Sequence, residues 1–208
     1  MDVYIIGCGG NAKVVVDICI CSGYNILGFF DDKNDKSYTY RGIKVIGKIN
    51  DIMKYHNINL INSIGNCHCR QEINEKLNNC QCKINWINCI HPLSYIAPTV
   101  TMGHGNIVCF GAVINSDAKI GNFNLVNSCA IIEHDCIIND FNHCAPRSTL
   151  CGNVVLGNLN LLGVSASIIP GKNIGNNNII GAMSVIIKDV RNDQTIVGVP
   201  GKNIKTLH

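Results

Sequence analysis

A histidine stands between two carboxylates in the segment IIEHDCIINDFNHC at 131–144, where Glu133, His134 and Asp135 are consecutive. A second histidine, His143, follows nine positions after His134. A histidine titrates near neutral pH, so it can take a proton from a reacting nucleophile. A neighbouring carboxylate can fix its tautomer and stabilise the imidazolium. The residues leave open whether Glu133 or Asp135 is that carboxylate, and the alternative is a solvated surface corner.

The segment lies inside a six-residue repeat. Apolar residues recur at every sixth position from Ile96 to Ile186 without interruption, and the next residue is often glycine or asparagine, as at Gly103 and Asn115. This period fits neither an α-helix nor a two-residue alternation, but it fits a coil of short parallel strands with a tight corner after each. We expect glycine and asparagine at these corners because they tolerate positive φ.

The first third of the chain predicts a nucleotide-binding α/β unit. A strand at 2–7 is followed by a glycine turn of the form G-x-G-x-x-A, a helix at about 11–22, and a strand at 25–30 that ends in Asp31 and Asp32. This order is typical of a Rossmann-like half, in which the turn approaches a diphosphate and the acid accepts hydrogen bonds from a nucleoside. Strands at 44–47, 58–66 and 83–88 and helices near 48–56 and 69–79 complete the unit. It is too short for a dinucleotide fold, so a nucleoside diphosphate sugar fits better than NAD, and a tight turn without a ligand is the alternative.

Composition excludes several classes of protein. A net charge of +3 with no basic run argues against a nucleic-acid partner. The chain has no basic leader and no apolar run of membrane-spanning length, so no membrane partner is predicted. The thirteen cysteines are scattered and odd in number, which favours a reducing, cytoplasmic setting.

These features together resemble the hexapeptide-repeat sugar O- and N-acetyltransferases of sialic-acid and glycan pathways, above all the enzymes that acetylate UDP-4-amino-4,6-dideoxy sugars. The resemblance rests on IIGCGGNAK, GFFDD, SIGN with Arg70, NSCAIIEHDCIINDFNHCAP, CGNVVLG and VGVPGK. It implies a Rossmann-like nucleotide-sugar-binding domain at 1–90 and, at 91–208, an all-β left-handed parallel β-helix of 18-residue coils with a C-terminal tail. It also implies acetyl-CoA as cosubstrate, no metal, a UDP-sugar as the favoured acceptor, acetylation of an amine at C4, and a homotrimer with active sites between subunits.

The resemblance also implies roles for individual residues. His134 is the expected general base, with Asp135 or Glu133 as its carboxylate. One coil places Gly152 above His134, where its N–H can face the thioester carbonyl, and half a coil places His143 on another side of the prism, within reach of a neighbour's His134. The expected nucleotide-sugar residues are Gly7, Gly9, Gly10, Asn11, Asp31, Asp32, Gly65, Asn66 and Arg70. The expected acetyl-CoA residues are His143, Gly152, Gly163, Gly181, Ala182, Pro200 and Lys202.

Other functions remain open from the sequence. One is O-acetylation of sialic acid or a related sugar, and another is a non-catalytic solenoid that binds nucleotide sugars. A third is a metal-dependent hydratase with His104, His134 and His143 as ligands. The runs Cys67-His68-Cys69 and Cys80-Gln81-Cys82 raise the question of zinc, although their spacing is not that of a standard zinc site. The basic residues Lys188, Arg191, Lys202 and Lys205 either meet the phosphates of CoA or keep the surface charged.

Overall fold

The computed structural model describes residues 1–78 and 82–205; Cys80 and Gln81 lie outside them. The N-terminal unit is a six-stranded sheet in the order β3-β4-β2-β1-β5-β6, parallel except for the β3–β4 pair. Its strands are Asp2–Ile6 (β1), Asn25–Phe30 (β2), Thr39–Tyr40 (β3), Ile43–Gly47 (β4), Asn57–Asn62 (β5) and Lys83–Trp86 (β6). Its helices are Gly10–Cys21 (α1) and Cys67–Asn78 (α2), with a 3₁₀ helix at Ile49–Lys54.

The two faces of this sheet have separate cores. Helix α1 packs on one face through Val15, Val16 and Cys19, and the 3₁₀ helix and α2 cover the other face through residues such as Ile52 and Leu77. Helix α1 ends where predicted, because Gly23 adopts φ +71° and the chain turns away. The hairpin strand β3 was not predicted, and the helix expected near 48–56 is a 3₁₀ helix.

The rest of the chain forms the predicted left-handed parallel β-helix, with three faces of stacked short strands. The first face comprises Cys89–Ile90, Ile107–Val108, Leu125–Val126, His143–Cys144, Leu161–Leu162, Ile179–Ile180, Thr195–Val197 and the antiparallel tail strand Lys202–Lys205. The second face comprises Tyr95–Ile96, Val113–Ile114, Ile131–Ile132, Thr149–Leu150, Ser167–Ile168 and Val185–Ile186. The third comprises Thr101–Met102, Lys119–Ile120, Ile137–Ile138, Val155–Leu156 and Asn173–Ile174. Cys89–Ile90 pairs with Ile107–Val108 and so belongs to the β-helix, although the sequence placed 1–90 in the first domain.

The every-sixth apolar residues fill the interior of the prism, as predicted. Ile114, Ile132 and Leu150 are fully buried and lie one above another on the second face. Strand partners are 18 residues apart, as in Leu125 and His143, up to the pair Ser167 and Val185. In the last coil the spacing is 16 residues, as in Ile179 and Thr195.

The corner prediction was wrong in its position. Positive φ does not fall on the residue after each apolar residue; it falls two residues further on, as at Asp117 (φ 63°), Phe123 (φ 54°) and Asp135 (φ 59°). The glycines next to the apolar residues instead allow successive coils to stack closely. A Cβ on Gly157 would lie 2.6 Å from the Gly175 carbonyl oxygen of the next coil.

A column of buried asparagines fastens the corner between the third and first faces. The Oδ1 atom of each accepts the backbone N–H of its partner one coil later at 2.8–2.9 Å. The column consists of Asn106, Asn124, Asn142, Asn160 and Asn178. This corner lies against the N-terminal unit, where Trp86 contacts Phe123 with ring centroids 5.0 Å apart.

Candidate active site

The imidazole of His134 is held by Asp135. His134 Nδ1 and Asp135 Oδ2 are 2.8 Å apart, and the two side chains are 58% and 52% exposed at the corner between the second and third faces. Asp135 has a left-handed backbone, which aspartate tolerates better than most residues. With a proton on Nδ1 directed at the carboxylate, Nε2 is the nitrogen that can accept a proton from a ligand.

Glu133 has a different partner. Its Oε2 accepts a hydrogen bond of 2.8 Å from Asn115 Nδ2, one coil below. Of the two acids that the sequence left open, Asp135 is therefore the one bonded to the imidazole. The sequence around His134 gives no indication of Asn115. The coil length does, because Asn115 precedes Glu133 by 18 residues and therefore lies below it.

Gly152 lies directly above His134, as the coil length predicts. A Cβ on Gly152 would lie 2.6 Å from both Nε2 and Cε1 of the imidazole. The coils are joined here by a hydrogen bond from Asn153 N–H to the His134 carbonyl at 3.0 Å. Only glycine leaves room for the ring in this position.

His143 lies on the first face, so it is on another side of the prism from His134, as predicted. Asn127 Nδ2 lies 3.2 Å from its Nε2, and the side chain lines a cavity together with Gly65. Burial, followed by the positive charge of Arg70, lowers the pKa of His143 from 6.5 to about 4. His143 is therefore neutral at pH 7 and faces the N-terminal unit across this cavity. Sequence reasoning assigned no role to Asn127, although it is the first residue of the segment NSCAIIEHDCIINDFNHCAP.

The predicted nucleotide-binding turns converge at the carboxyl edge of the N-terminal sheet. Gly7 follows β1 with φ +83°, and a Cβ there would lie 2.6 Å from Ile64 Cδ1. Asn11 Nδ2 donates to the Ser63 carbonyl at 2.8 Å, which ties the glycine turn to the turn after β5. Gly9 and Gly10 open α1 and are exposed. The predicted residues of both turns are thus neighbours in space.

A cavity of about 140 Å³ adjoins the second of these turns, the one after β5, and lies between it and the first face of the β-helix. The N-terminal unit contributes its lining from Gly65 to His68, including the predicted residue Asn66. The β-helix contributes His143, Leu161 and Ile179 among others. The cavity therefore has a polar turn on one side and a mixture of apolar and polar side chains on the other.

The sequence predicted that Asp31 contacts a nucleoside, but its carboxylate is engaged within the chain. Its carboxylate is buried and already accepts hydrogen bonds from the N–H groups of Cys8, Lys33 and Asn34 at 2.7–2.9 Å. These bonds lower the pKa of Asp31 although burial alone would raise it. Asp31 thus holds the glycine turn in shape. Asp32 accepts from Ile49 N–H through Oδ1 at 2.9 Å, and its contact with a nucleoside stays a prediction.

Arg70 also differs from the prediction that it contacts the nucleotide. It is 1% exposed, and its five N–H donors all reach main-chain carbonyls at 2.7–3.1 Å. The acceptors are the carbonyls of Ile64, Gly65, Phe123, Phe141 and Asn142. No donor of Arg70 is left for a ligand.

The remaining acetyl-CoA residues lie along a different corner from His134, between the first and second faces. Gly163 lies below Gly181 and Ala182, and a Cβ on Gly163 would lie 2.5 Å from the Ala182 nitrogen. Pro200 and Lys202 are exposed in the tail that closes this end of the β-helix. The predicted residues therefore occupy both edges of the second face.

The three candidate metal ligands do not meet within one chain. His104 packs against Phe123, with ring centroids 5.3 Å apart, at a third corner. In the part of the chain that the structure describes, no three side chains of histidine, cysteine, aspartate or glutamate are grouped to hold a metal ion. Within the same residues, no helix has both the length and the apolar composition needed to cross a bilayer.

The sequence and the fold are similar to those of known proteins. Residues 2–77 match the PglD N-terminal domain family. A mutant of perosamine N-acetyltransferase from Caulobacter crescentus, solved with CoA and GDP-perosamine, is 31% identical and has a TM-score of 0.92, with 99% of this chain and 97% of that chain covered. The acetyltransferase domain of PglB from Neisseria gonorrhoeae, solved with acetyl coenzyme A, is 27% identical with a TM-score of 0.91 and covers 98% of each chain.

A further relative comes from a virus. The uncharacterized protein L142 of Acanthamoeba polyphaga mimivirus is 41% identical over 119 residues, which are 57% of this chain but 23% of that protein. Full-length similarity above 30% identity to the Caulobacter enzyme, together with the two-part fold and the repeat, settles the family. The chain belongs to the hexapeptide-repeat sugar acetyltransferases.

Proposed function

We propose that this protein transfers the acetyl group of acetyl-CoA to an amino group, at C4, of a nucleotide-linked amino-deoxy sugar. The observation that carries the proposal is the His134–Asp135 pair beneath Gly152. It combines an oriented base with a main-chain N–H one coil above it. The Caulobacter relative, solved with CoA and GDP-perosamine, supports the same pair of substrates.

The chemistry assigned to this corner is acyl transfer to an amine. Nε2 of His134 accepts a proton from the sugar amine as its nitrogen attacks the thioester carbonyl, and Asp135 stabilises the resulting imidazolium. The N–H of Gly152 donates to the oxyanion of the tetrahedral intermediate, a contact worth about 3 kcal/mol in comparable sites. Collapse of the intermediate releases the thiolate of CoA, which takes up a proton, and leaves the amide on the sugar.

The acceptor is proposed to bind at the N-terminal unit. The turns at Gly7–Asn11 and Ser63–Asn66 take the diphosphate and the sugar, and the adjoining cavity leads to the first face of the β-helix. We favour a UDP-sugar from the resemblance of the whole sequence, whereas the Caulobacter relative was solved with GDP-perosamine. An assay with a panel of acceptors must therefore decide which nucleobase and which sugar the acceptor carries.

The active site is proposed to form between subunits of a homotrimer. His134 and the cavity beside His143 are on different sides of one prism, so a neighbouring copy must bring them together. Exposed apolar side chains at both ends of the corner between the first and second faces support self-association. They are Leu93 (68% exposed), Phe110 (52%), Val164 (41%), Met183 (72%) and Val199 (72%). Light scattering that shows a stable 22.6 kDa monomer would refute the shared site.

We place the protein in the reducing cytoplasm and expect no stoichiometric metal. The scattered cysteines, thirteen in number, support a reducing setting. Metal analysis of the purified protein separates this proposal from a metal-dependent hydratase, which requires a bound ion in each site.

The acetyltransferase proposal is tested by release of free CoA thiol. The protein is mixed with acetyl-CoA and a panel of UDP-, dTDP- and GDP-linked 4-amino sugars, with the matching 4-hydroxy sugars as controls. Turnover with an amino sugar but not with its hydroxy counterpart is expected. Turnover only with hydroxy sugars would establish O-acetylation instead, and calorimetry that detects sugar binding without CoA binding would establish a non-catalytic solenoid.

A further inference from the structure

Arg70 is a buried cation without an acidic partner. Among the residues that the structure describes, no carboxylate forms an ion pair with it, and its side chain is 1% exposed. A buried charge is costly unless all of its hydrogen-bonding capacity is used. Here five carbonyl dipoles take the place of a counter-ion. The site therefore suits a guanidinium, with its five donors, and not any positively charged side chain.

The five carbonyls belong to separate segments of the chain, and the planar guanidinium binds all of them. Nη1 binds the Ile64 and Gly65 carbonyls at 2.7 and 3.1 Å, in the turn after β5. Nε binds the Phe123 carbonyl at 2.8 Å, and Nη2 binds the carbonyls of Phe141 and Asn142 at 3.1 Å, on two successive coils. A planar fork fixes the relative positions of its acceptors, which a lysine ammonium with three donors cannot do.

The turn that Arg70 holds is the one that adjoins the glycine turn. Ile64 packs under Gly7, and Asn11 bonds to the carbonyl of Ser63 at 2.8 Å. A shift of Ile64–Gly65 would therefore disturb both turns at the carboxyl edge of the sheet. Gly65 also forms part of the cavity wall, so the same shift would change the width of the cavity between the turn and the β-helix.

We propose that Arg70 is a positioning residue that sets the nucleotide-binding turn Ile64–Gly65 against the β-helix and does not itself contact the substrate. This inference rests on the proposed function, because it assumes that the turn binds the nucleotide sugar. It predicts a selective defect: weaker use of the nucleotide sugar with little change for acetyl-CoA, because only one of the predicted acetyl-CoA residues, His143, adjoins an acceptor of Arg70, the Asn142 carbonyl.

The test uses Arg70→Lys and Arg70→Gln, with Ser22→Ala as the matched control. Ser22 Oγ donates to the Ile90 carbonyl at 2.9 Å, so its loss also removes a side-chain bond between α1 and the β-helix but leaves the turn at 64–65 untouched. For Arg70→Lys we expect KM for the nucleotide sugar to rise about tenfold or more, and KM for acetyl-CoA to stay within about twofold. Ser22→Ala should change neither constant.

Amide hydrogen exchange supplies a readout that does not depend on turnover. In Arg70→Lys, exchange at 63–66 should accelerate while that of the central coils stays unchanged. An unchanged KM for the nucleotide sugar in the folded variants, or an equal rise in both constants, would overturn the proposal. So would the same selective rise in Ser22→Ala, or loss of cooperative melting in both Arg70 variants, because Arg70 would then serve folding as such.

Failure of the proposed function is distinguishable from failure of this inference. If wild-type protein turns over no sugar, the proposed function fails, and calorimetric binding of UDP and GDP then replaces KM as the measure. If wild-type protein turns over a sugar and Arg70→Lys uses it with unchanged constants, the inference alone fails.

Discussion

Gly152 lies one coil above His134, and the imidazole occupies the space that a side chain at 152 would need. A Cβ there would come within 2.6 Å of Nε2 and Cε1. The imidazole of His134 can occupy this position because residue 152, one coil later, is a glycine. The obstructed group is the end of an exposed side chain, which can move, and not the main chain.

Gly152→Ala should therefore impair catalysis more than folding. The imidazole must shift away from the added methyl group, and a displacement of about 1 Å can lower kcat about 10²-fold. Steady-state kinetics and thermal melting on the same preparation measure both effects. Equal kcat in the variant and the wild type would show that the stacking of these residues has no part in catalysis.

Gly121→Ala is the matched control for that variant. A Cβ on Gly121 would lie 3.0 Å from the main-chain carbon and oxygen of Asn139 and would also meet the Asp140 side chain, so coils must separate. We expect a lower melting temperature with kcat retained at a temperature where the variant is folded.

Asp135→Asn should cost more activity than Glu133→Gln. Asp135 bonds to the imidazole at 2.8 Å, whereas Glu133 bonds to Asn115. Asparagine also tolerates the left-handed backbone of position 135, so the change removes the charge without a new fold defect. We expect kcat to fall about 10- to 100-fold for Asp135→Asn and less for Glu133→Gln. The reverse order would identify Glu133 as the orienting acid.

The repeat made the β-helix predictable, but the backbone of its corners was not. Every-sixth apolar residues such as Ile132 and Leu150 are buried because a residue type repeated at a fixed spacing reports a repeated environment. Positive φ at Phe123 and Phe141 has no such signal, since aromatic residues rarely adopt it. Their rings stack with centroids 5.0 Å apart, so contacts between coils support a conformation that local preference disfavours.

The candidate site was predictable where stacking governs it and less so where hydrogen bonds do. The coil length of 18 residues was enough to predict from the sequence that Gly152 lies over His134. By contrast, the GFFDD and SIGN motifs could not show that Asp31 and Arg70 bind main-chain groups of their own chain. A motif reports that a polar side chain is present at a turn; whether it points to a ligand or to the backbone depends on where neighbouring segments pass.

Stability should fall as the medium is acidified from about pH 6.5 to about pH 4, in part because of His143. Its pKa is lowered to about 4 in the folded state, so in this window the unfolded chain binds more protons than the folded chain. His143→Gln does not titrate and should show a shallower loss over the same window. Denaturant unfolding at several pH values measures the difference, and parallel curves for the variant and the wild type would exclude His143 as a source of the slope.

The asparagine column should contribute measurably to stability. Asn106 is fully buried; its Oδ1 accepts Asn124 N–H at 2.8 Å and its Nδ2 donates to the Gly121 carbonyl at 2.9 Å. Asn106→Ala leaves those main-chain groups buried without partners, which should cost about 1–3 kcal/mol. Asn173→Ala, an exposed position on the third face, is the control and should cost far less. Equal unfolding midpoints for the two variants would contradict a stabilising role for the column.

The central claim is that His134 is the general base of acetyl transfer, and His134→Ala tests it most directly, with His104→Ala as an exposed-histidine control. The proposal predicts that kcat at neutral pH falls about 10²–10⁴-fold in His134→Ala with little change in either KM, and that His104→Ala keeps the wild-type kcat. Raising the pH should partly restore the His134 variant, because an amine that is already neutral no longer needs a base. Wild-type kcat at neutral pH in His134→Ala would contradict the account and leave Glu133, His134 and Asp135 as a solvated corner.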